Sequence, residues 1–270
     1  MNTKLAAVGL LCALMTACGG GGDDSPTPTP TPITASPEGR WAAKIGNDLF
    51  SVMTVLENGE IWGIYASGST LGNLYGEVSA NGPALNGKLT DINLTSRVIR
   101  ATDFTGSVTP KTSMDLTLTG ASPMSLTYVE TYDQPANALA LTGLYEGNQY
   151  THIYKSLPLA NDSTNSSTTQ GSNSTTVISV NKAKFQVSDK GEVTMTSDTD
   201  CSGSGTILPR ATGKNVFDVT LTLQGSACAL ENGTSLRGIA LHESKGDTMI
   251  IQALNDAKTE GLTFSAFKSK

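Results

Sequence analysis

This sequence predicts an all-β fold: antiparallel strands in two tandem β-barrel or β-sandwich modules, set behind a disordered tether. Three observations carry that prediction. Residues 38–133 consist of short β-rich runs broken by glycine or asparagine, and no stretch holds helical periodicity over about 11 residues. Where a run is long enough to show a period, the period is two. In Met114-Asp115-Leu116-Thr117-Leu118-Thr119 the apolar residues take one face and the polar ones the other, as in a sheet with one wet side. The pattern then restarts: Gly143-Leu144-Tyr145 repeats the Gly39-Arg40-Trp41 opening, and Val187 to Val193 matches Val55 to Ile61 in spacing and turn chemistry.

In the first module (residues 38–133), strands are expected at Leu49–Leu56 and Ile61–Ala66. They are joined across Glu57-Asn58-Gly59-Glu60, whose Asn-Gly pair suits a two-residue hairpin turn. Leu74–Ala80, Gly87–Leu94, Arg97–Val108, Ser113–Thr119 and Met124–Tyr132 follow. Residues 134–142 read as one helical turn or a plain connector.

The second module spans residues 143–270. Its openings are offset from the first module by 104 residues but its hairpins by 132, so it must hold about 28 extra residues between them. Residues 161–176, nearly all Ser, Thr, Asn, Gln and Gly, supply them and read as a disordered loop. Further strands are expected at Lys182–Val187, Glu192–Ser197, Gly205–Pro209, Asn215–Leu223, Ser235–His242, Thr248–Leu254 and Leu262–Phe267, with a turn or short helix at Asn255–Gly261. Phe217, Val219, Leu221 and Leu223 share one face of their strand. About eight strands per module can close into a barrel or fold into a sandwich, and closure best resolves the exposed-edge problem.

The front of the chain carries a different signal. Lys4 precedes an apolar run, Leu5 to Met15, too short for a roughly 20-residue span, and Thr16-Ala17-Cys18 follows. Leu14-Met15-Thr16-Ala17-Cys18 resembles the lipobox of Gram-negative lipoproteins. That resemblance implies a signal peptide over residues 1–17 and a mature chain starting at Cys18, which would carry diacylglycerol and an amide-linked acyl chain. Gly19, rather than aspartate, follows the cysteine, which in that family implies the outer membrane, facing periplasm or cell surface. Residues 18–37 form the tether: Gly19 to Gly22 act as flexible coil, and the alternating prolines from Pro26 to Pro32 stiffen it toward polyproline II, adding about 3 Å of reach per residue. Lipobox, tether and two β-rich halves together resemble, in layout, surface lipoproteins of the transferrin-binding-protein or factor-H-binding type. No motif specific to either type is present, so their ligands do not carry over. The Gly-x-aromatic opening and two-cysteine second half also resemble β-rich surface or periplasmic lipoproteins, a comparison that supplies no activity.

Of the four cysteines, Cys12 falls in the removed peptide and Cys18 would be lipidated. Cys201 and Cys228 remain, and outside the cytoplasm they are expected to form a disulfide rather than stay two buried thiols. Closing that loop of 27 residues contributes about 3 kcal/mol by the chain-entropy argument.

Composition and motifs exclude several functions. A net charge of -6 and a pI near 4.9 leave no basic patch for a phosphate backbone, so no nucleic-acid partner is expected. The sequence holds no Gly-x-Ser-x-Gly, His-Glu-x-x-His, Walker, Rossmann or Cys-x-x-Cys pattern, and no cofactor is expected. His152 and His242 are the only histidines, and His242 and Glu243 point to opposite faces of a strand. They read as surface or loop residues rather than metal ligands. Glu57, Glu60 and Glu77 are the residues a carboxylate-dependent hydrolase would use, yet nothing in their spacing selects them over solvated turn residues. Ser204, between two glycines, reads as a turn residue.

The large rings Trp41, Trp62, Tyr65 and Tyr75 concentrate in the first module. Trp62 and Tyr65 take opposite faces of a regular strand, so one packs inside while the other lies on the surface or at a barrel mouth, with Gly63 leaving a shallow depression. Core packing is the default for this set, against contact with a ligand or partner. The expected function is a non-enzymatic binding module for a protein or small ligand, held at the outer membrane through Cys18. The alternatives are a structural or assembly-assisting envelope lipoprotein and a carboxylate-dependent hydrolase.

Overall fold

A computed structural model describes residues 35–45, 49–156, 174–244 and 246–269. The expected signal peptide, Cys18, nearly all of the tether and residues 161–173 of the expected loop lie outside them.

The first half is an up-and-down meander. Its strands are β1 (Gly39–Ile45), β2 (Leu49–Val55), β3 (Glu60–Ser67), β4 (Thr70–Asn81), β5 (Ala84–Asn93), β6 (Val98–Thr109), β7 (Ser113–Leu118) and β8 (Met124–Tyr128). Each pairs antiparallel with the next, and β8 returns to β1 to close a barrel. A short 3-10 turn at Glu130–Asp133 and one helical turn at Ala138–Leu141, capped by the Asn137 side chain, lead onward. The second half repeats the meander with β9 (Gly143–Ser156), β10 (Ser174–Val187), β11 (Glu192–Ser197), β12 (Ser202–Pro209), β13 (Phe217–Gln224), β14 (Ser235–Glu243), β15 (Thr248–Leu254) and β16 (Glu260–Lys268), closed by β16 on β9. The prediction of two tandem antiparallel modules holds, and both are closed barrels.

Alternation explains the interiors. Side chains at every second position of each strand point inward, and those positions hold the apolar residues. In β13, Phe217, Val219, Leu221 and Leu223 are buried while Thr220 and Gln224 are exposed. The two Gly-x-aromatic openings play equivalent parts. Trp41 and Tyr145 are both fully buried, and each uses its one polar atom on a carbonyl just upstream: Trp41 Nε1–H donates to Pro37 O (2.9 Å) and Tyr145 Oη–H to Ala140 O (3.5 Å).

The matched hairpins are equivalent too, in a form the Asn-Gly pair did not predict. Gly59 N–H donates to Leu56 O and Leu56 N–H to Glu60 O (both 2.9 Å), with Gly59 at φ +85°. This is a type I turn plus a left-handed residue, a three-residue loop rather than a two-residue one. Gly191 (φ +77°) closes the Ser188–Glu192 turn in the same way, at 3.0 and 2.8 Å. A Cβ at Gly59 or Gly191 would stand 2.5 or 2.4 Å from the carbonyl oxygen of Val78 or Ile207, so no other residue fits.

Several local expectations change. β10 begins at Ser174, inside the expected loop and well before Lys182, because it pairs with β9 along its whole length. The last strand of the first barrel stops at Tyr128, where the 3-10 turn takes over, and of the turn or short helix expected at Asn255–Gly261 the turn forms, over Asn255 to Thr259, with Glu260 and Gly261 already in β16. Gly203-Ser204-Gly205 is not a turn. It lies within β12, where the neighbouring strand comes so close that a Cβ at Gly205 would sit 1.9 Å from Thr220 O.

The two barrels belong to one compact unit and share a wall. Leu56, Trp62 and Tyr132 of the first pack on Val216, Ile239, Leu241 and Leu254 of the second. A smaller patch joins Ile92 and Leu94 to Ile178.

Candidate functional site

The four aromatic candidates do not form one site, because the first barrel's wall runs between them. Trp41 and Tyr65 face the interior, while Trp62 and Tyr75, cross-strand partners on β3 and β4, face outward into the shared wall. Trp41 meets the edge of Tyr128 at a centroid distance of 5.2 Å and fills one end of the barrel. Trp62 and Tyr75 make a second edge contact at 5.0 Å, with Lys258 Nζ 5.8 and 5.2 Å from the two ring centroids. Burial and the nearby carboxylates Glu60 and Glu77 raise the Tyr75 pKa to about 12. Trp41 and Trp62, at 0% and 3% exposure, are covered by the protein itself.

Tyr65 is different. It lines a hollow of about 230 Å3 at the other end of the first barrel, walled by Leu74, Leu89, Leu118 and Met124. Ser51, Thr102 and Asp91 supply the polar part of the lining. Tyr65 Oη–H donates to Asp91 Oδ1 at 2.7 Å. Burial pushes the Asp91 carboxyl above its usual range, opposed by the Tyr65 hydrogen bond and by Arg100, its register partner on β6. Burial and the Asp91 charge in turn raise the Tyr65 phenol. Alternation along β5 was the available signal for this site: Leu85, Leu89 and Asp91 share a parity, so the carboxylate had to point inward.

The shared wall carries polar contacts of its own, one of them to the nominated Glu57. Glu57 accepts from Arg210 Nε (3.0 Å to Oε2) and Nη2 (2.7 Å to Oε1), which holds its carboxyl below the usual range; Arg210 also pairs with Asp218. Arg40, buried on β1, pairs with Glu243, and its burial lowers its pKa to about 10, so it stays charged at neutral pH. Asp133, held near a pKa of about 2 by Lys111 and Lys214, lies 2.8 and 2.7 Å from their ammonium groups. Gln252 Nε2 donates to Gly63 O at 2.6 Å, and Asn73 donates to Thr263.

Both histidines are buried strand residues, which corrects their reading as surface or loop groups. His152 points into the shared wall from β9, 3% exposed, with no hydrogen-bond partner on either ring nitrogen among the described residues; burial lowers its pKa to about 4. His242 lies near Asp247, Nε2 to Oδ1 3.5 Å, and burial lowers its pKa against the pull of that carboxylate. Among the described residues, no group of three or more His, Cys, Asp or Glu is placed to hold a metal ion.

Glu60 and Glu77 stand opposite each other on β3 and β4, with Lys88 as the next partner of Glu77. They edge a broad hollow of about 720 Å3 on the outer wall, lined mainly by polar residues. This is a solvated cross-strand row, with no proton-transfer partner assembled beside it among the described residues. Ser204 is exposed on β12 and its hydroxyl accepts from Gln224 Nε2 at 3.5 Å, with no base bonded to it among the described residues. Cys201, in the β11–β12 connection, and Cys228, beyond β13, form the expected disulfide (Cα–Cα 4.6 Å), tying neighbouring strand ends together.

No family model matches this chain, and no curated protein matches it. Among solved structures it is similar to the isotype 1 transferrin binding protein B from serogroup B Neisseria meningitidis, at 11% identity and a TM-score of 0.31. The similarity covers 86% of this chain and 66% of that one, so this chain spans just under two thirds of that protein's length. A likeness at that level does not bear on activity or partner.

Proposed function

We propose that the chain is a lipoprotein of the outer membrane, anchored through acyl chains on Cys18, that acts as a non-enzymatic binding module for a protein or small ligand. The observation that supports this reading is the hollow at one end of the first barrel, which joins an apolar wall to one carboxylate and a few hydroxyls. Such a lining suits retention of a ligand, since a few placed polar groups in an apolar concavity orient a molecule. Hydrolysis would need a second group positioned for proton transfer. Of the carboxylates nominated for hydrolysis, Glu57 is engaged by Arg210, and Glu60 and Glu77 stand opposite each other on the outer wall, away from that hollow.

Two measurements test the reading. Mass spectrometry of the native lipoprotein should find the acyl chains on a new N-terminal Cys18, and Cys18→Ser should release the protein from the membrane fraction. An unmodified terminus or an intact leader would overturn the anchor. Capture from intact cells with the full chain as bait should recover a bound partner or ligand, and none under any growth condition would overturn the binding role.

A further inference from the structure

The hollow in the first barrel is specific enough in its chemistry to name a ligand class, on the reading of the protein as a binding module. We propose that it takes a small organic cation: an apolar body carrying one primary ammonium group, with the ammonium on Asp91 and the body against Leu74, Leu89, Leu118 and Met124.

Size limits the ligand first. A volume of about 230 Å3 lies below the roughly 300–1,000 Å3 of pockets that enclose drug-sized molecules, so the occupant is small. The lining decides the rest of the molecule. Four apolar side chains wall the hollow and release their water to bulk when an apolar body covers them.

Asp91 decides the head group. An ionised carboxylate offers about four acceptor positions. Among the described residues Tyr65 Oη–H fills one of them, and Arg100, exposed at the rim, makes no ion pair with it. A partly buried anion with spare acceptor positions inside an apolar wall, countered only at a distance by Arg100, suits a positive group with several donors. An ammonium group supplies both, through three N–H donors and a full positive charge. A neutral alcohol supplies one donor and no charge, and an anion is repelled. The burial that raises the Asp91 carboxyl is relieved by the same cation. Among the described residues of the second barrel, the positions around its Phe185–Phe264 contact are filled with apolar side chains.

The test uses the full chain and three probes sharing one apolar body: 4-phenylbutylamine, 4-phenylbutan-1-ol and 4-phenylbutanoate, titrated by calorimetry with amide chemical shifts to locate binding. The amine should bind and shift residues of β4–β7, with an affinity about tenfold above the alcohol, the scale of a charge-assisted bond replacing a neutral one. The butanoate should not bind. Asp91→Asn, whose amide oxygen still accepts from Tyr65, should bring amine and alcohol to within about threefold of each other. Thr102→Phe, which places a ring in the hollow, should abolish binding of both.

Failure of the amine to bind, equal binding of amine and alcohol, an amine preference that survives Asp91→Asn, or shifts confined to the second barrel would each overturn the proposal. If the amine fails while capture from intact cells still recovers a partner, the ligand class falls and the binding-module reading stands.

Discussion

The two barrels share a strand order and a turn plan, yet they are finished differently. β16 and β9 close the second barrel through nine paired positions, from Glu260↔Ile153 to Lys268↔Tyr145. β8 and β1 close the first through two, Trp41↔Tyr128 and Ala42↔Thr127, with one added bond from Val129 N–H to Arg40 O (2.8 Å). The second is packed around the Phe185–Phe264 contact and tied by a disulfide; the first keeps a hollow with a carboxylate in it. One topology therefore serves two ends. Continuous packing and a covalent tie fill and brace the second barrel, and a shorter closure goes with an unfilled end in the first.

Core truncation should separate the barrels most. Phe264→Ala, fully buried against Phe185 at a centroid distance of 4.2 Å, should cost about 3–5 kcal/mol. Leu118→Ala, beside the existing hollow, should cost about 1 kcal/mol because less packing is lost there. Urea unfolding midpoints measure both, and equal losses would erase the distinction between packed and hollow interiors.

Next comes the covalent tie. Replacing both Cys201 and Cys228 by serine should remove about 3 kcal/mol and speed amide exchange in β12 and β13 while leaving β2 to β7 as they were. Faster exchange throughout both barrels would show that the disulfide serves the whole unit.

Acid should act on the wall between them. His152 titrates near 6.5 when unfolded and about 4 when folded, so below pH 6.5 the unfolded chain takes up a proton that the native state refuses. The stability contributed by the neutral ring is complete above about pH 6.5 and lost as pH falls toward 4. Roughly 2 kcal/mol of the loss falls between pH 7 and 5. His152→Leu should flatten that slope in a pH series of thermal melts, and an unchanged slope would assign the acid sensitivity elsewhere, with His242 the next candidate.

The smallest effect belongs to the exposed ion pairs. Arg210→Ala breaks its contacts with Glu57 and Asp218, but both carboxylates are well solvated, so the loss should stay near 1 kcal/mol and shrink in high salt. A loss of several kcal/mol would mean that the barrels are held together by charge rather than by the Trp62 and Leu254 packing.

Much of this was legible in local patterns. Strand positions followed from period two, and the second barrel followed from the matched turns at Gly59 and Gly191, because both signals are short-range. Closure was legible only through the exposed-edge argument, as the better of barrel and sandwich, since pairing β1 with β8 or β9 with β16 joins segments about 90 or 115 residues apart that nothing local specifies. The shared wall did leave a trace. Met249-Ile250-Ile251-Gln252-Ala253-Leu254 is nearly continuous in apolar residues, the mark of a strand covered on both faces. His152 was misread because a lone histidine in a polar run resembles a surface residue until the opposing barrel covers it. Gly203 and Gly205 were misread because glycine also marks turns, whereas here it lets two backbones approach. Among the aromatic candidates, the sequence correctly split Trp62 from Tyr65 by parity, but Asp91, the residue that gives Tyr65 its chemistry, was passed over.

In mechanical terms the brief junction of β1 with β8 makes the first barrel a rolled ribbon fastened by a small tab. Tension transmitted along the polypeptide from ahead of Ala35 loads β1, which β2 holds through seven paired positions and the tab through two. The ribbon would then unroll from its leading edge while its nine-rung neighbour stays shut, so under load this protein yields at its front.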